Sequence, residues 1–218
     1  MKGIWRANPN GPTWPPWEKL KNRGVTDFYV PARKIDFTTG KYVKNDLQLT
    51  PAYRSGVQSQ QLGYRIYRDP SWDSIFDPSV LVEAAASDIA AVQHEGENIY
   101  VPYMFDIEYH DASFVAKTIL GFRQRFPRGP LAWTLEPFQA GWFTNGLVEV
   151  LNNDINLVVV VQNFFGNMAP AGTRNGKTPR QELLDIGIAA NRVKVFYDGS
   201  KPIPSGWDGC ILSEERLP

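Results

Sequence analysis

The sequence offers very little thiol or imidazole chemistry. Cys210 is the only cysteine in 218 residues, which excludes an internal disulfide framework and any cysteine-rich metal site. The two histidines, His94 and His110, have no second histidine at ligand spacing, so neither a zinc site nor any other cofactor is expected. Long apolar runs are missing, and none approaches the length of a membrane span. No charged stretch leads into a long apolar segment at the N-terminus, so a signal peptide is not expected. A surplus of one charge is absent too. Lysine plus arginine and aspartate plus glutamate each number 23, so no net field favours nucleic acid or an anionic membrane as partner. No internal period and no biased segment suggests a repeat array or a linker.

What remains is ample for one core. A chain of this length sits where a single barrel or α/β domain is common, and one domain over residues 1–218 is expected. Short β-rich runs alternate with amphipathic helical stretches, the pattern of a βα repeat with a parallel sheet. Strands are expected at residues 3–5, 25–30, 62–67, 100–108, 131–135, 157–161, 193–197 and 209–212. The run Leu157-Val158-Val159-Val160-Val161 has the continuous apolar character of a strand buried on both faces. Helices are expected at residues 14–23, 51–61, 79–94, 114–126, 139–151 and 179–190, with Gly96 just past the end of the third. Residues 31–46 read as polar and irregular. Residues 198–208 hold Pro202 and Pro204 and are too short and proline-rich for a normal helix. The expected fold is a compact (β/α)8-type TIM barrel with its last helices missing or reduced. An open doubly wound sheet would need a phosphate loop after the first strand, and Asn8-Pro9-Asn10-Gly11-Pro12 lacks the glycine spacing.

Asp106-Ile107-Glu108 ends the apolar run that forms the fourth barrel strand. Carboxylates at i and i+2 on a strand share a face, with Cα atoms roughly 6 to 7 Å apart. Burying both anions in a core is costly, so the pair is expected to meet solvent or a ligand in a cleft. The alternative is a structural pair salt-bridged to Arg6, Arg65 or Arg68. Other strand ends nominate further candidates, because the C-terminal face of such a barrel forms the site. Tyr67, Arg68 and Asp69 follow the third strand, Glu136 ends the fifth, Gln162 and Asn163 follow the sixth, and Tyr197 and Asp198 close the seventh. The amides suit sugar hydroxyls or an acetamido group, and equally a buried backbone partner. Trp5, Trp72, Trp133 and Trp142 are candidate stacking platforms, although core packing is the commoner fate of a tryptophan. Alternation along the fifth strand, with Ala132 outward, is expected to point Trp133 into the barrel. Asp111 or Ser113 suits a helix N-cap.

The chain as a whole resembles the glycoside hydrolase family 25 lysozymes. Leu20-Lys21-Asn22-Arg23-Gly24-Val25-Thr26-Asp27-Phe28 is similar to that family's helix end, glycine and second strand. Leu62-Gly63-Tyr64-Arg65-Ile66-Tyr67 is similar to its third strand, and Asp106-Ile107-Glu108 to its acidic pair. The resemblance implies a barrel that cleaves N-acetylated glycan of the bacterial cell wall. Glu108 is then the general acid that protonates the glycosidic oxygen. Asp106 stays ionised and stabilises developing positive charge, or steadies the N-acetyl group as it attacks the anomeric carbon, which removes the need for an enzyme nucleophile. Trp5, Arg6, Tyr67, Arg68, Trp133, Glu136, Gln162, Asn163, Tyr197 and Asp198 are its expected substrate contacts. By analogy with wall-active barrels that lack a signal peptide, a phage setting is expected: association with a virion, contact with other virion or surface proteins, or release by lysis.

The chain departs from the family at two strands. Where the first strand normally presents an aspartate, Gly3-Ile4 is followed by Trp5-Arg6; where the last does, Ile211-Leu212 runs into Ser213-Glu214. This motivates a rival reading, a catalytically silent barrel that binds carbohydrate or serves as a structural component of a phage tail or cell surface. Chitinase-like barrels of family 18 also end their fourth strand in Asp-x-Glu, but with further aspartates upstream, where this chain has Tyr100, Pro102 and Met104. A metal-dependent hydrolase or deacetylase would need histidine ligands that the sequence scarcely offers.

Overall fold

A computed structural model describes residues 2–5, 17–22, 24–69, 77–97, 101–106, 111–135, 145–163, 177, 179–197 and 210–213. Eight strands alternate with helices along the chain: β1 (Lys2–Trp5), β2 (Asp27–Pro31), β5 (Gly63–Arg68), β6 (Tyr103–Phe105), β7 (Leu131–Leu135), β8 (Leu157–Asn163), β9 (Val193–Tyr197) and β10 (Cys210–Ser213). They pair in parallel and close into a barrel in the order β1-β10-β9-β8-β7-β6-β5-β2. The expected TIM barrel is therefore the observed fold. Two further strands, β3 (Arg33–Asp36) and β4 (Lys41–Lys44), form a separate antiparallel hairpin between β2 and the next helix.

The helices are α1 (Trp17–Asn22), α2 (Pro51–Ser59), α3 (Pro78–Val92), α4 (Ala112–Arg125), α5 (Asn145–Asn153) and α6 (Pro179–Asp185). The longest, α3 and α4, have clear local causes. Asp77 caps α3 by accepting from the Ser79 N–H, with Pro78 in the first turn, a position where the missing proline N–H is no loss. Asp111 caps α4 by accepting from the Phe114 N–H at 2.8 Å. The two helices pack where Gly121 faces Val82; a Cβ on Gly121 would meet the Val82 side chain at 3.2 Å.

Several element ends differ from the expectation for identifiable reasons. At the exit of α1, the Gly24 and Val25 N–H groups bond to the carbonyls of Lys21 and Leu20, and Gly24 takes φ +70°. This helix cap holds Val25, so β2 begins at Asp27 rather than at residue 25. α6 stops at Asp185 instead of continuing to residue 190, because Gly187 turns the chain with φ +95°. β8 runs on to include Gln162 and Asn163, which pair with Phe196 and Tyr197. The described part of the fourth barrel strand ends at Phe105, so Asp106 is the first residue past it.

Parity splits the barrel side chains into two packed layers. Phe28, Val30, Tyr64, Ile66, Tyr103, Phe105, Leu131, Trp133, Val159 and Val161 face the helices and join Leu81, Ile89, Ile119 and Phe122 in one core. Phe105 anchors it, with ring centroids 5.1 Å from Tyr103, 5.9 Å from Phe122 and 5.6 Å from Trp133. Tyr29, Tyr67, Met104, Ala132 and Val160 form a second cluster inside the barrel. At the barrel's N-terminal end, Arg65 Nε meets Asp27 Oδ1 at 2.6 Å. Gly63 allows that pair, since a Cβ there would lie 2.7 Å from Asp27 Oδ1.

Candidate functional site

The parity that puts Met104 and Ala132 inside the barrel also puts Asp106 and Thr134 there, each two residues further along its chain. Both are nearly inaccessible, at 5% and 1% exposure. The Asp106 N–H donates to the Arg68 carbonyl at 2.8 Å, which carries the β5–β6 ladder one residue past Phe105. The Thr134 hydroxyl donates to Asp106 Oδ1 at 2.8 Å. Its oxygen also lies 3.3 Å from the Phe105 carbonyl, but a hydroxyl has one hydrogen, and the shorter bond to a carboxylate is the stronger. Asp106 is thus a buried carboxyl fixed at the C-terminal end of the barrel, above an apolar plug that contains Tyr67 and Met104.

Behind this layer, facing α3, lies a second polar cluster. Arg68 Nε and Nη2 bond to the two oxygens of Asp88 at 2.9 and 2.8 Å. The Tyr103 hydroxyl donates to Asp88 Oδ2 at 2.6 Å. Burial works against the Arg68 charge, but Tyr103 and Asp88 outweigh it and hold the guanidinium above its ordinary value. Burial first, and then the Asp88 charge, pushes the Tyr103 phenol well above its usual range. The described ion pairs of Arg65 and Arg68 thus run to Asp27 and Asp88.

The expected contacts fall into three groups. Asp106, Tyr67 and Arg68 are placed as described, with Tyr67 on the barrel side of β5 and Arg68 on the α3 side. Tyr67 is 1% exposed and forms floor rather than wall. Trp5, Gln162, Asn163 and Tyr197 occupy the C-terminal ends of β1, β8 and β9, on the same rim of the barrel as Asp106. Arg6, Glu108, Glu136 and Asp198 lie outside the described residues, as do Trp72, Trp142 and His110.

Trp133 requires a correction. It was expected to point into the barrel, but Ala132 and Thr134 take the inward positions of β7 and Trp133 packs against Phe105 beneath the helices. At 1% exposure it has no face to offer a sugar. The same parity error hid Thr134, whose signal in the sequence was a hydroxyl residue two positions after Ala132. Asp88 was also missed; its signal was one acidic residue in the Ala-rich middle of α3.

Among the described residues no three His, Cys, Asp or Glu side chains are grouped to hold a metal ion, and no helix is long and apolar enough to cross a membrane. A hollow of about 650 Å³ lies between α3 and α4, lined by Asp77, Val82, Lys117 and Gln124 among others. None of its lining residues belongs to a barrel strand. The buried Asp106 carboxyl at the strand ends marks the candidate site instead.

No known family profile and no curated protein matches the sequence. Solved structures do match in fold. The catalytic domain of a hyperthermophilic chitinase from Pyrococcus furiosus aligns with 99% of this chain and 77% of its own, at 12% identity and a TM-score of 0.61. An endo-beta-N-acetylglucosaminidase from Cordyceps militaris aligns with 98% of this chain and 80% of its own, at 11% identity and a TM-score of 0.58. A Thermobaculum terrenum O-GlcNAc hydrolase aligns with 98% of this chain and 54% of its own, at 10% identity and a TM-score of 0.52. The fold is the TIM barrel of these glycoside hydrolases.

Proposed function

We propose that residues 1–218 form one lysozyme-like barrel domain that hydrolyses N-acetylated glycan of the bacterial cell wall. One observation carries this reading: a buried carboxyl, Asp106, is held by Thr134 at the C-terminal end of β6, with Glu108 two residues further on. Structural likeness to enzymes named for chitin, N-acetylglucosaminide and O-GlcNAc cleavage supports a substrate of N-acetylated sugars. In the proposed reaction Glu108 gives its proton to the glycosidic oxygen as the bond to the anomeric carbon breaks. The carbonyl oxygen of the sugar's own N-acetyl group closes onto that carbon. Asp106, ionised, orients the acetamido N–H and stabilises the positive charge that develops on the group. Water then opens the cyclic intermediate, with Glu108 taking the proton back.

The wall glycan is preferred to chitin because the residues before the pair differ from the chitinase pattern. Met104 stands among Tyr29, Tyr67 and Ala132 in an apolar layer where a further aspartate is expected of that pattern.

A silent, glycan-binding barrel is the second reading, and a specific pairing favours it. Trp5 and Ser213 end β1 and β10 and are register partners, so neither strand ends in the aspartate that the lysozyme resemblance implies. Incubating the wild-type protein with peptidoglycans from several wall types and with chitin oligomers, and measuring new reducing ends alongside binding, separates the two. Reducing ends from peptidoglycan support hydrolysis. Binding without any release across all substrates supports the silent barrel.

A further inference from the structure

The β3–β4 hairpin is the one element of the described fold outside the barrel and its helices. Within residues 33–44 it carries Arg33, Lys34, Lys41 and Lys44 against a single acid, Asp36. The chain as a whole is neutral, so this concentration of cations is local. Asp36 is occupied in the turn, where its carboxylate accepts from the Thr38 N–H and the Thr39 hydroxyl, both at 2.9 Å. The side chains of Lys34, Lys41 and Lys44 make no hydrogen bond or ion pair among the described residues. Arg33 and Lys44 are register partners near the root, while Lys41 stands opposite Asp36, so each face of the hairpin carries two cations, and the like-charged pair at the root weakens the hairpin.

The hairpin is rooted firmly beside the candidate site. The Ala32 N–H bonds to the Tyr67 carbonyl at 2.8 Å and the Asn45 N–H to the Ala32 carbonyl at 3.0 Å. The buried Asn45 amide donates to the Pro31 carbonyl at 2.9 Å and to Gln48 Oε1 at 2.8 Å. The root is therefore tied to the C-terminal ends of β2 and β5, and β5 is the neighbour of β6. Four residues of extended chain project roughly 13 Å. Phe37, in the turn, is 77% exposed.

We propose that this hairpin is a cationic arm that receives the carboxylate groups of an acidic N-acetylated glycan whose sugar backbone lies over the Asp106 end of the barrel. The inference rests on the glycan reading above and narrows it: a neutral N-acetylated polymer gains nothing from the arm, and a polymer with carboxylate-bearing branches does. The test compares two soluble oligomers of equal length, a chitooligosaccharide and a peptidoglycan fragment bearing stem carboxylates. They are titrated calorimetrically into the full chain and into the triple variant Lys34→Gln, Lys41→Gln, Lys44→Gln, at low and at physiological salt. Lys41 and Lys44 are exposed and Lys34 is half-buried, and circular dichroism checks that the variant keeps its fold. The wild type is expected to bind the acidic oligomer about tenfold more tightly at low salt, as a few surface charge pairs supply, with the preference shrinking as salt rises. The triple variant is expected to bring the acidic oligomer down to the affinity of the neutral one. Equal binding of both oligomers by the wild type overturns the arm and leaves the glycan reading standing. A preference that survives in the variant also overturns it, as does polyglutamate binding as tightly as the acidic glycan. Binding of neither oligomer overturns both.

Discussion

Thr134 on β7 and Asp106, the residue that follows β6, meet inside the barrel, hydroxyl to carboxylate, at 2.8 Å. With both residues almost wholly buried, water is a poor substitute for the bond. Thr134→Val keeps the shape and removes the donor, and is expected to cost about 1 to 3 kcal/mol of stability. If Asp106 steadies the reacting acetamido group, the same change lowers kcat by about tenfold or more with a smaller change in KM, and Thr134→Ser restores most of it. Urea unfolding and steady-state kinetics of the two variants check this; an inactive Thr134→Ser variant of normal stability would contradict it.

The Arg68–Asp88–Tyr103 cluster fixes α3 to the barrel wall. Asp88→Ala leaves a buried guanidinium without its main partner and is expected to destabilise by about 3 to 5 kcal/mol. Tyr103→Phe removes one bond and is expected to cost about 1 to 2 kcal/mol. Replacing Arg68 and Asp88 together by Met and Leu is expected to recover much of the Asp88→Ala loss, which urea titration of the double variant reads directly.

Trp133 serves the core. Trp133→Ala is expected to destabilise by about 3 to 5 kcal/mol while leaving the affinity for glycan oligomers within about twofold of wild type, since the ring has no exposed face. A selective loss of glycan affinity in a variant of near-native stability would restore Trp133 to the site.

The Arg54–Glu97 pair sets a pH dependence. Arg54 holds the Glu97 carboxyl below its ordinary value, with help from the His94 N–H, through bonds of 2.6 and 2.8 Å. A carboxyl depressed in the folded state contributes stability above its unfolded pKa and loses it as pH falls through the folded one. Glu97→Gln is therefore expected to melt lower than wild type at pH 7, with the gap narrowing below about pH 4. Melting curves across pH 3 to 7 check it; a constant gap would refute the assignment.

The barrel was legible because its strands and helices repeat with strong periodicity. The expected bounds of β7 and β9 match the observed ones, and Asp111 caps α4 as expected; α3 instead ends at Val92, where Gln93 is already extended, and Gly96 sits in the turn that follows. The hairpin was not legible. Arg33 to Lys44 are mostly charged or polar, so burial cannot announce a strand, and the cue was only the strand-favouring pair Tyr42-Val43 shortly before a buried Asn45. Asp106 was found because a carboxylate at the end of an apolar run conflicts with its surroundings. Its partner Thr134 was hidden by a parity that the sequence of β7 leaves ambiguous, since both Ala132 and Trp133 suit a buried face. Arg68 stood out beside the site, but its link to Asp88 spans β5 to α3 and has no local signature.

The most direct test of glycan hydrolysis through Glu108 is reducing-end release from purified peptidoglycan by wild type and Glu108→Gln, with pull-down of the same glycan measured in parallel. Release by the wild type, a loss of about a hundredfold or more in Glu108→Gln, and equal glycan binding by both are expected. Undiminished release by Glu108→Gln, or binding without release by the wild type, would contradict hydrolysis through Glu108.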